Sequence, residues 1–130
     1  MNRSKRVEDY MKIIYRHQEN SLVRSVDIAH ELGVSKPTVS VALKKMEASG
    51  LIFFHQDMGI ELTQEGERIA REMTERYNAL YGLLTDLGVD EQTAHQDACR
   101  MEHGISDRSL SALIELRQKL DKTKNFLTVG

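Results

Sequence analysis

Four side chains that can bind a transition metal lie close together in this 130-residue sequence: His95, Cys99, Glu102 and His103. Their spacing of i, i+4, i+7 and i+8 places all four on one face of a helix. Imidazole, thiolate and carboxylate groups are ligands that transition metals of borderline softness accept. The pattern on its own is compatible with a metal site. The alternative is structural, with Cys99 as a small core residue and the other three side chains on a helix surface.

A second stretch, from Ser25 to Gly50, reads as two short helices joined by a tight turn. Ser25 is the predicted N-cap of the first helix. Gly33 ends that helix, because glycine enters the left-handed conformation at no steric cost. Ser35 is the predicted N-cap of the second helix, with Pro37 in its first turn. Apolar residues follow helical spacing in both helices: Val26, Ile28, Ala29 and Leu32, then Val39, Ala42, Leu43 and Met46. This arrangement indicates a helix-turn-helix or an ordinary helical hairpin.

The opposite face of the second helix is polar and basic, and it has no acidic residue before Glu47. It carries Lys36, Thr38, Ser40, Lys44 and Lys45. Short hydroxyls and lysines suit a helix that contacts phosphates and base edges in the major groove of DNA. A solvated polar face is the alternative.

The residues after Gly50 favour the DNA-binding interpretation. Residues 51–54 and 60–62 read as two strands joined by a turn. Thr63 begins a new helix whose first turn carries Glu65 and Glu67, as the helix dipole favours. Two helices, a hairpin and another helix form the order of a winged helix-turn-helix, and several independent local signals agree on it.

Helical periodicity predicts further helices over residues 4–19, 63–87, 90–104 and 106–120, with a loose tail at 123–130. The first helix directs an apolar stripe inward: Val7, Tyr10, Ile13, Ile14 and His17. The last helix carries a broad stripe: Leu110, Leu113, Ile114, Leu116 and Leu120. One small helical pair would not readily cover that stripe, so a homodimer interface is predicted, with packing inside the chain as the alternative.

Composition predicts a mainly α-helical cytoplasmic protein. Hydrophobic residues make up 40% of the sequence, and it contains one proline and one cysteine. A single cysteine excludes an intramolecular disulfide framework and fits a reducing compartment. No apolar run approaches the roughly 20 residues that a membrane span needs, and the charged N-terminus does not resemble a secretory signal. The net charge of −2 does not by itself indicate a nucleic-acid partner, since DNA affinity rests on local phosphate contacts.

Four segments together resemble the diphtheria-toxin-repressor and manganese-repressor family of metal-dependent transcription factors. They are VEDYMKIIY (7–15), SKPTVS (35–40), IELTQEGERIA (60–70) and DACRMEHGISD (97–107). The resemblance covers nearly the whole chain. It implies a winged helix-turn-helix DNA-binding domain over residues 1–72 and a helical dimerisation and metal-binding domain over residues 73–130.

Carried over by resemblance, the metal ligands would be Asp9, Cys99, Glu102 and His103. An aspartate at position 9 matches the manganese branch of the family, whereas a cysteine at position 99 matches the iron branch. Carboxylate oxygen favours manganese and iron(II), while thiolate favours iron(II), cobalt or zinc. We therefore expect one divalent transition metal ion per chain, with manganese and iron as the leading candidates.

Departures from the family pattern at three positions argue against a second metal ion. Lys12 stands where manganese-branch members have a second carboxylate ligand, and its ammonium would repel a second cation. Tyr77 stands where both branches have a histidine, and Tyr81 where the iron branch has a glutamate. His95 matches an ancillary iron-branch ligand whose usual partners are gone. Lys12 could even replace a cation outright, which would leave a protein that responds to no metal.

The resemblance also implies the DNA-contacting residues. The matching positions are Ser35, Pro37, Thr38 and Ser40, beside the basic Lys36 and Lys44. A glutamine that contacts bases in the iron branch is replaced by Val41, which can still touch a thymine methyl group. The preferred operator should therefore differ from that of the iron branch.

The sequence thus predicts a homodimeric, metal-responsive repressor of transcription that binds double-stranded DNA, with no small-molecule substrate and no enzymatic activity. Two alternatives belong to other classes. One is a metal-independent winged-helix regulator that senses redox state through a reactive Cys99. The other is a small metal-dependent hydrolase with Glu102 as general base, for which no substrate-pocket motif is present.

Overall fold

The computed structural model describes residues 5–129, with side chains to residue 123. Six helices and a two-stranded sheet follow one another along these residues: α1 (Lys5–Gln18), α2 (Ser25–Leu32), α3 (Lys36–Ala48), β1 (Ile52–Phe54), β2 (Ile60–Leu62), α4 (Gln64–Asp86), α5 (Glu91–Gly104) and α6 (Asp107–Val129). The chain divides into two compact units between Met73 and Thr74, inside α4. The mainly helical, winged helix-turn-helix prediction is confirmed.

The first unit is built around one apolar core. The α1 helix contributes Tyr10, Met11, Ile13 and Ile14, the helix-turn-helix contributes Ile28, Val39, Leu43 and Met46, and the hairpin contributes Ile52, Ile60 and Leu62. The inward stripe predicted for α1 is thus largely confirmed. His17 is only half-buried and places its Nε2 atom 2.9 Å from a carboxylate oxygen of Glu31.

Capping decides where the helices of the helix-turn-helix begin and end. Ser35 caps α3 as predicted, since its Oγ atom accepts a hydrogen bond from the Thr38 N–H at 3.3 Å. Gly33 ends α2 in the left-handed conformation, at φ 66°. The predicted N-cap Ser25 is wrong by one residue. Arg24 is the N-cap, and its own N–H donates to the carboxylate of Asp27 at 3.1 Å.

One predicted core position is also wrong: Val26 is 45% exposed. The α2 helix has only eight residues. Ile28 and Ala29 are its buried residues, and a helix this short turns only a narrow face inward. Val26 therefore lies outside that face.

The wing is a short antiparallel hairpin in which Ile52 pairs with Leu62 and Phe54 with Ile60. Thr63 joins it to α4. The Thr63 hydroxyl donates to the carbonyl of Gly50 at 2.6 Å and accepts from the N–H of Gly66 at 3.1 Å. This threonine therefore fixes the start of α4 against the end of the helix-turn-helix.

The second unit contains the C-terminal part of α4 with α5 and α6. Its buried centre consists of Leu80, Ala98 and Leu110. The α6 helix continues to Val129, so the predicted loose tail is wrong for residues 123–129. The reason is local, because no glycine or proline interrupts the sequence between Asp107 and Val129.

The apolar stripe of α6 divides into two parts. Leu110 is buried, and Leu113 and Ile114 pack partly against the same cluster, so packing inside the chain covers these three. Leu116 and Leu120 are 44% and 38% exposed. Among the residues that the structure describes, no helix is both long and apolar enough to cross a membrane.

Candidate metal centre and nucleic-acid interface

The last turn of α5 brings two of the predicted metal ligands together. Glu102 is fully buried, at 0% exposure, and the side chain of His103 is only 9% exposed. The Nε2 atom of His103 lies 3.4 Å from Oε1 of Glu102. A buried carboxylate beside an imidazole is a donor pair that suits a divalent transition metal. The residues present therefore fit such an ion.

Cys99, the third predicted ligand on α5, has a neighbour on the preceding turn. Its sulfur lies 3.9 Å from Nε2 of His95, and Cys99 itself is half-buried. The other ring nitrogen of His95, Nδ1, lies 2.7 Å from the hydroxyl of Tyr77. The structure thus pairs Cys99 with His95 and Glu102 with His103.

Tyr77 reaches His95 from α4, and its ring stacks on Tyr81 with the ring centroids 5.7 Å apart. Burial raises the pKa of the Tyr77 hydroxyl, and the nearby Cys99, Tyr81 and Glu102 raise it further. The phenol is therefore protonated at neutral pH. A neutral phenol is a much weaker metal ligand than the histidine that the family pattern places here.

The fourth predicted ligand, Asp9, belongs to the first unit. It is a half-buried residue of α1, and Lys12, also half-buried, follows one turn later on the same helix. Residues three apart on a helix are neighbours on its surface. The carboxylate and the ammonium therefore share one side of α1.

Sequence reasoning missed Arg76, a buried cation on α4 that is only 7% exposed. Its Nε donates to the carbonyl of Glu102 at 2.9 Å. Its Nη1 donates to the carboxylate of Asp107 at 2.7 Å, and its Nη2 donates to the carbonyl of Ile105. The signal was its place within the apolar stripe of α4, three residues after Met73 and four before Leu80, where a solvated arginine is not expected.

Asp90 fixes the start of α5. Its carboxylate accepts a hydrogen bond from the Thr93 N–H at 3.0 Å, and this bond lowers the pKa of Asp90. The helix runs from this cap to Gly104. The cap therefore sets the start of the helix that carries Cys99, Glu102 and His103.

The predicted DNA-contacting residues are all exposed. They lie at the N-cap and on the outer face of α3: Ser35, Lys36, Pro37, Thr38, Ser40, Val41 and Lys44. Val41 is 55% exposed, so its side chain is accessible on this outer face. The hydroxyls of Ser35 and Thr38 lie 2.7 Å apart, so the N-cap orders two polar groups at the tip of this helix.

Comparison with known families assigns both units. Residues 3–60 match the N-terminal DNA-binding domain of iron-dependent repressors, and residues 63–124 match the metal-binding and dimerisation domain of the same proteins. The transcriptional regulator MntR of Escherichia coli is 39% identical over 119 residues, which cover 91% of this chain and 77% of that protein. The chain belongs to the iron-dependent repressor family.

This chain covers a smaller share of two other proteins that it is similar to. The diphtheria toxin repressor of Corynebacterium glutamicum is 36% identical over 111 residues, which cover 84% of this chain but 49% of that protein. A solved structure of a manganese-dependent transcriptional repressor in complex with manganese has a TM-score of 0.74 and 32% identity, and the likeness covers 82% of this chain and 50% of that one. The chain thus spans about three quarters of its MntR relative and about half of these two proteins.

Membership of the iron-dependent repressor family confirms the resemblance inferred from the sequence. The chain is a member of a family of metal-dependent transcriptional repressors, with a DNA-binding domain followed by a metal-binding and dimerisation domain. The named relatives are regulators of transcription rather than enzymes. Nothing in the comparisons supports the metal-independent alternative.

Proposed function

We propose that this chain is a cytoplasmic, homodimeric repressor that binds a double-stranded DNA operator when manganese or iron(II) is bound as corepressor. The observation that carries the proposal is the fully buried Glu102 beside His103 at the end of α5, within the segment that matches a metal-binding and dimerisation domain. Burying a carboxylate is costly unless its charge is compensated. A divalent cation would supply that compensation.

The proposed ligands are Asp9, Cys99, Glu102 and His103, with one ion per chain. Glu102 and His103 supply an oxygen and a nitrogen from one turn of helix, and Cys99 stands one turn earlier on α5. Asp9 adds a carboxylate from α1, as the family pattern implies. When bound, the ion supplies two positive charges to this donor set.

DNA recognition is proposed for α3. Lys36 and Lys44 are exposed cations that can contact phosphates, which positions a protein on DNA without reading its sequence. Pro37 and Val41 are exposed apolar groups that can contact thymine methyl groups in the major groove. A homodimer with two such helices should read two half-sites about one turn of DNA apart, roughly 34–36 Å.

The homodimer is proposed to form through the exposed part of the α6 stripe. Leu116 and Leu120 face away from the core of the second unit, as does Leu87 after the end of α4. Exposed apolar side chains on a helical unit that matches a dimerisation domain are suited to a subunit interface. Without metal, a smaller fraction of dimers would hold the two α3 helices at the spacing that DNA requires, which lowers the apparent affinity.

The decisive experiment is a DNA-binding titration by fluorescence anisotropy, with promoter DNA labelled at one end. The protein is titrated in chelator and then with manganese, anaerobic iron(II), cobalt or zinc. We expect binding with at least one of manganese and iron(II) and little in chelator. The Glu102→Gln variant, which is nearly the same size but has no charge, should bind DNA weakly under every condition. Equal DNA affinity with chelator and with every metal would contradict the proposal.

A further inference from the structure

The guanidinium of Arg76 joins three helices of the second unit. It extends from α4, donates to the carbonyls of Glu102 and Ile105 at the end of α5, and pairs with Asp107 at the start of α6. Arginine is rarely buried unless each of its donors finds a partner. Arg76 is only 7% exposed, and its guanidinium contacts two carbonyls and a carboxylate.

The carbonyls of Glu102 and Ile105 lie at the C-terminal end of α5, where backbone carbonyls have no N–H donor within the helix. The last four carbonyls of an α-helix lack an intrahelical donor, and they must find one elsewhere. Glu102 lies in the last turn of α5, and Ile105 is its C-cap. By donating to both carbonyls, Arg76 fixes the backbone of this last turn from the side of α4.

The fixed backbone is that of the proposed metal ligands. The Glu102 carbonyl that accepts from Arg76 and the Glu102 carboxylate belong to the same residue, and His103 is the next residue in the chain. The backbone position of Glu102 and Ile105 sets where the Cα–Cβ bonds of Glu102 and His103 point. The hydrogen bonds of Arg76 reach the main-chain carbonyls of Glu102 and Ile105, so Arg76 acts on the Glu102 and His103 side chains through the main chain.

We propose that Arg76 is a positioning residue for the metal centre, which holds the end of α5 so that Glu102 and His103 present their side chains in the metal-binding arrangement. This inference rests on the proposed metal-binding function. Residues that orient metal ligands typically change metal affinity by about 10- to 100-fold when they are substituted. The planar fork of arginine can reach three acceptors at once, whereas the single ammonium of lysine cannot reproduce that geometry.

The test compares Arg76→Lys with a matched control, Arg68→Lys. Arg68 also lies on α4, but its side chain is 57% exposed and pairs with Glu65 and Glu72 of the same helix. Manganese affinity of the intact chain is measured by competition with a chelating dye. We expect Arg76→Lys to bind manganese at least about 10-fold more weakly than the unaltered protein, and Arg68→Lys to bind it equally well.

A second readout does not depend on metal. The Ile105 N–H donates to the carbonyl of Met101 at 2.9 Å and should be protected from hydrogen exchange in the metal-free protein. Arg76→Lys should accelerate exchange at Ile105 and the neighbouring amides, while amides of α2 and α3 keep their rates. A general loss of stability would instead accelerate exchange throughout α4, α5 and α6.

The possible results separate the two proposals. If the unaltered protein binds no manganese or iron(II), the proposed function is wrong and this inference falls with it. If it binds metal and Arg76→Lys binds equally well with unchanged exchange, only the role of Arg76 is overturned. If Arg76→Lys does not fold, Asp107→Ala replaces it, because that exposed carboxylate can be removed without opening the core. It should weaken metal binding measurably, by up to about fivefold, which is the scale of one exposed ion pair. An affinity equal to that of the unaltered protein would overturn the inference.

Discussion

The hydroxyl of Tyr77 lies 2.7 Å from Nδ1 of His95. The family resemblance implies a histidine ligand at the position of Tyr77 and an ancillary ligand at His95. Here the two side chains contact each other. The raised pKa of Tyr77 means that its phenol is protonated at neutral pH. Tyr77 therefore provides no anionic ligand for a second ion.

We therefore expect metal binding to saturate at one ion per chain. Isothermal titration with manganese measures the stoichiometry directly. Tyr77→His combined with Lys12→Glu restores a neutral nitrogen ligand and a carboxylate, and it should move the stoichiometry toward two. Tyr81→Phe is the control and should leave it at one. Two ions per chain in the unaltered protein would contradict this prediction.

Lys44→Ala should weaken binding to every DNA sequence by a similar factor, because a phosphate contact carries no sequence information. The slope of log affinity against log salt concentration should fall by roughly one. Lys119→Ala, an equal change of charge at an exposed position on α6, is the control.

Val41→Ala should instead change the ranking of operator sequences, as loss of a thymine methyl contact would. If none of these changes alters DNA binding, α3 is not the recognition helix.

Gly66→Ala should destabilise the first unit by about 1–3 kcal/mol, which is the usual cost of overpacking. Glycine to alanine inside a helix normally stabilises it. At Gly66, however, the added Cβ atom would overlap the backbone carbonyl oxygen of Leu51, which cannot move as a side chain can. Gly104→Ala is the control, since an added Cβ atom meets nothing within 4 Å there. Urea unfolding followed by circular dichroism distinguishes the two variants, and equal stability would refute the predicted overlap.

Asp90 should make a pH-dependent contribution to stability. Its pKa is lowered in the folded protein by the hydrogen bond from Thr93. The contribution is therefore fully present above the ordinary value of 3.8 and is lost as the pH falls through the lowered folded pKa. Asp90→Asn keeps a side-chain acceptor at the N-cap but has no charge to titrate. As the pH falls from 6 to 3, the difference in urea midpoint between this variant and the unaltered protein should shrink. A difference that stays constant would exclude a contribution from the Asp90 charge.

Leu116→Glu should convert the proposed dimer into monomers at micromolar concentration. The side chain is already 44% exposed, so the substitution need not disturb the core, but a charge there would be costly to bury in an interface. Sedimentation velocity measures the change. Ser111→Glu, at another exposed position of α6, is the control. A dimer that survives Leu116→Glu would place the interface elsewhere.

The sequence alone was sufficient for the order of the elements and for most of the core. Period-3.6 stripes on residues 4–19 and 35–48 identified Tyr10, Ile14, Val39 and Leu43 as buried, and the structure confirms each. Local chemistry also located Ser35 as an N-cap and Gly33 as a helix end. These predictions succeed because caps and helical stripes depend on residues within one or two turns of each other.

Only the tertiary structure decided which side chains contact one another across the second unit. Helical spacing put His95, Cys99, Glu102 and His103 on one face, but it could not show that α4 approaches that face with Tyr77 and Arg76. The hydrogen bond between Tyr77 and His95 spans 18 residues, and that between Arg76 and the Glu102 carbonyl spans 26. Such contacts depend on how α4 packs against α5, which no local pattern in the sequence encodes.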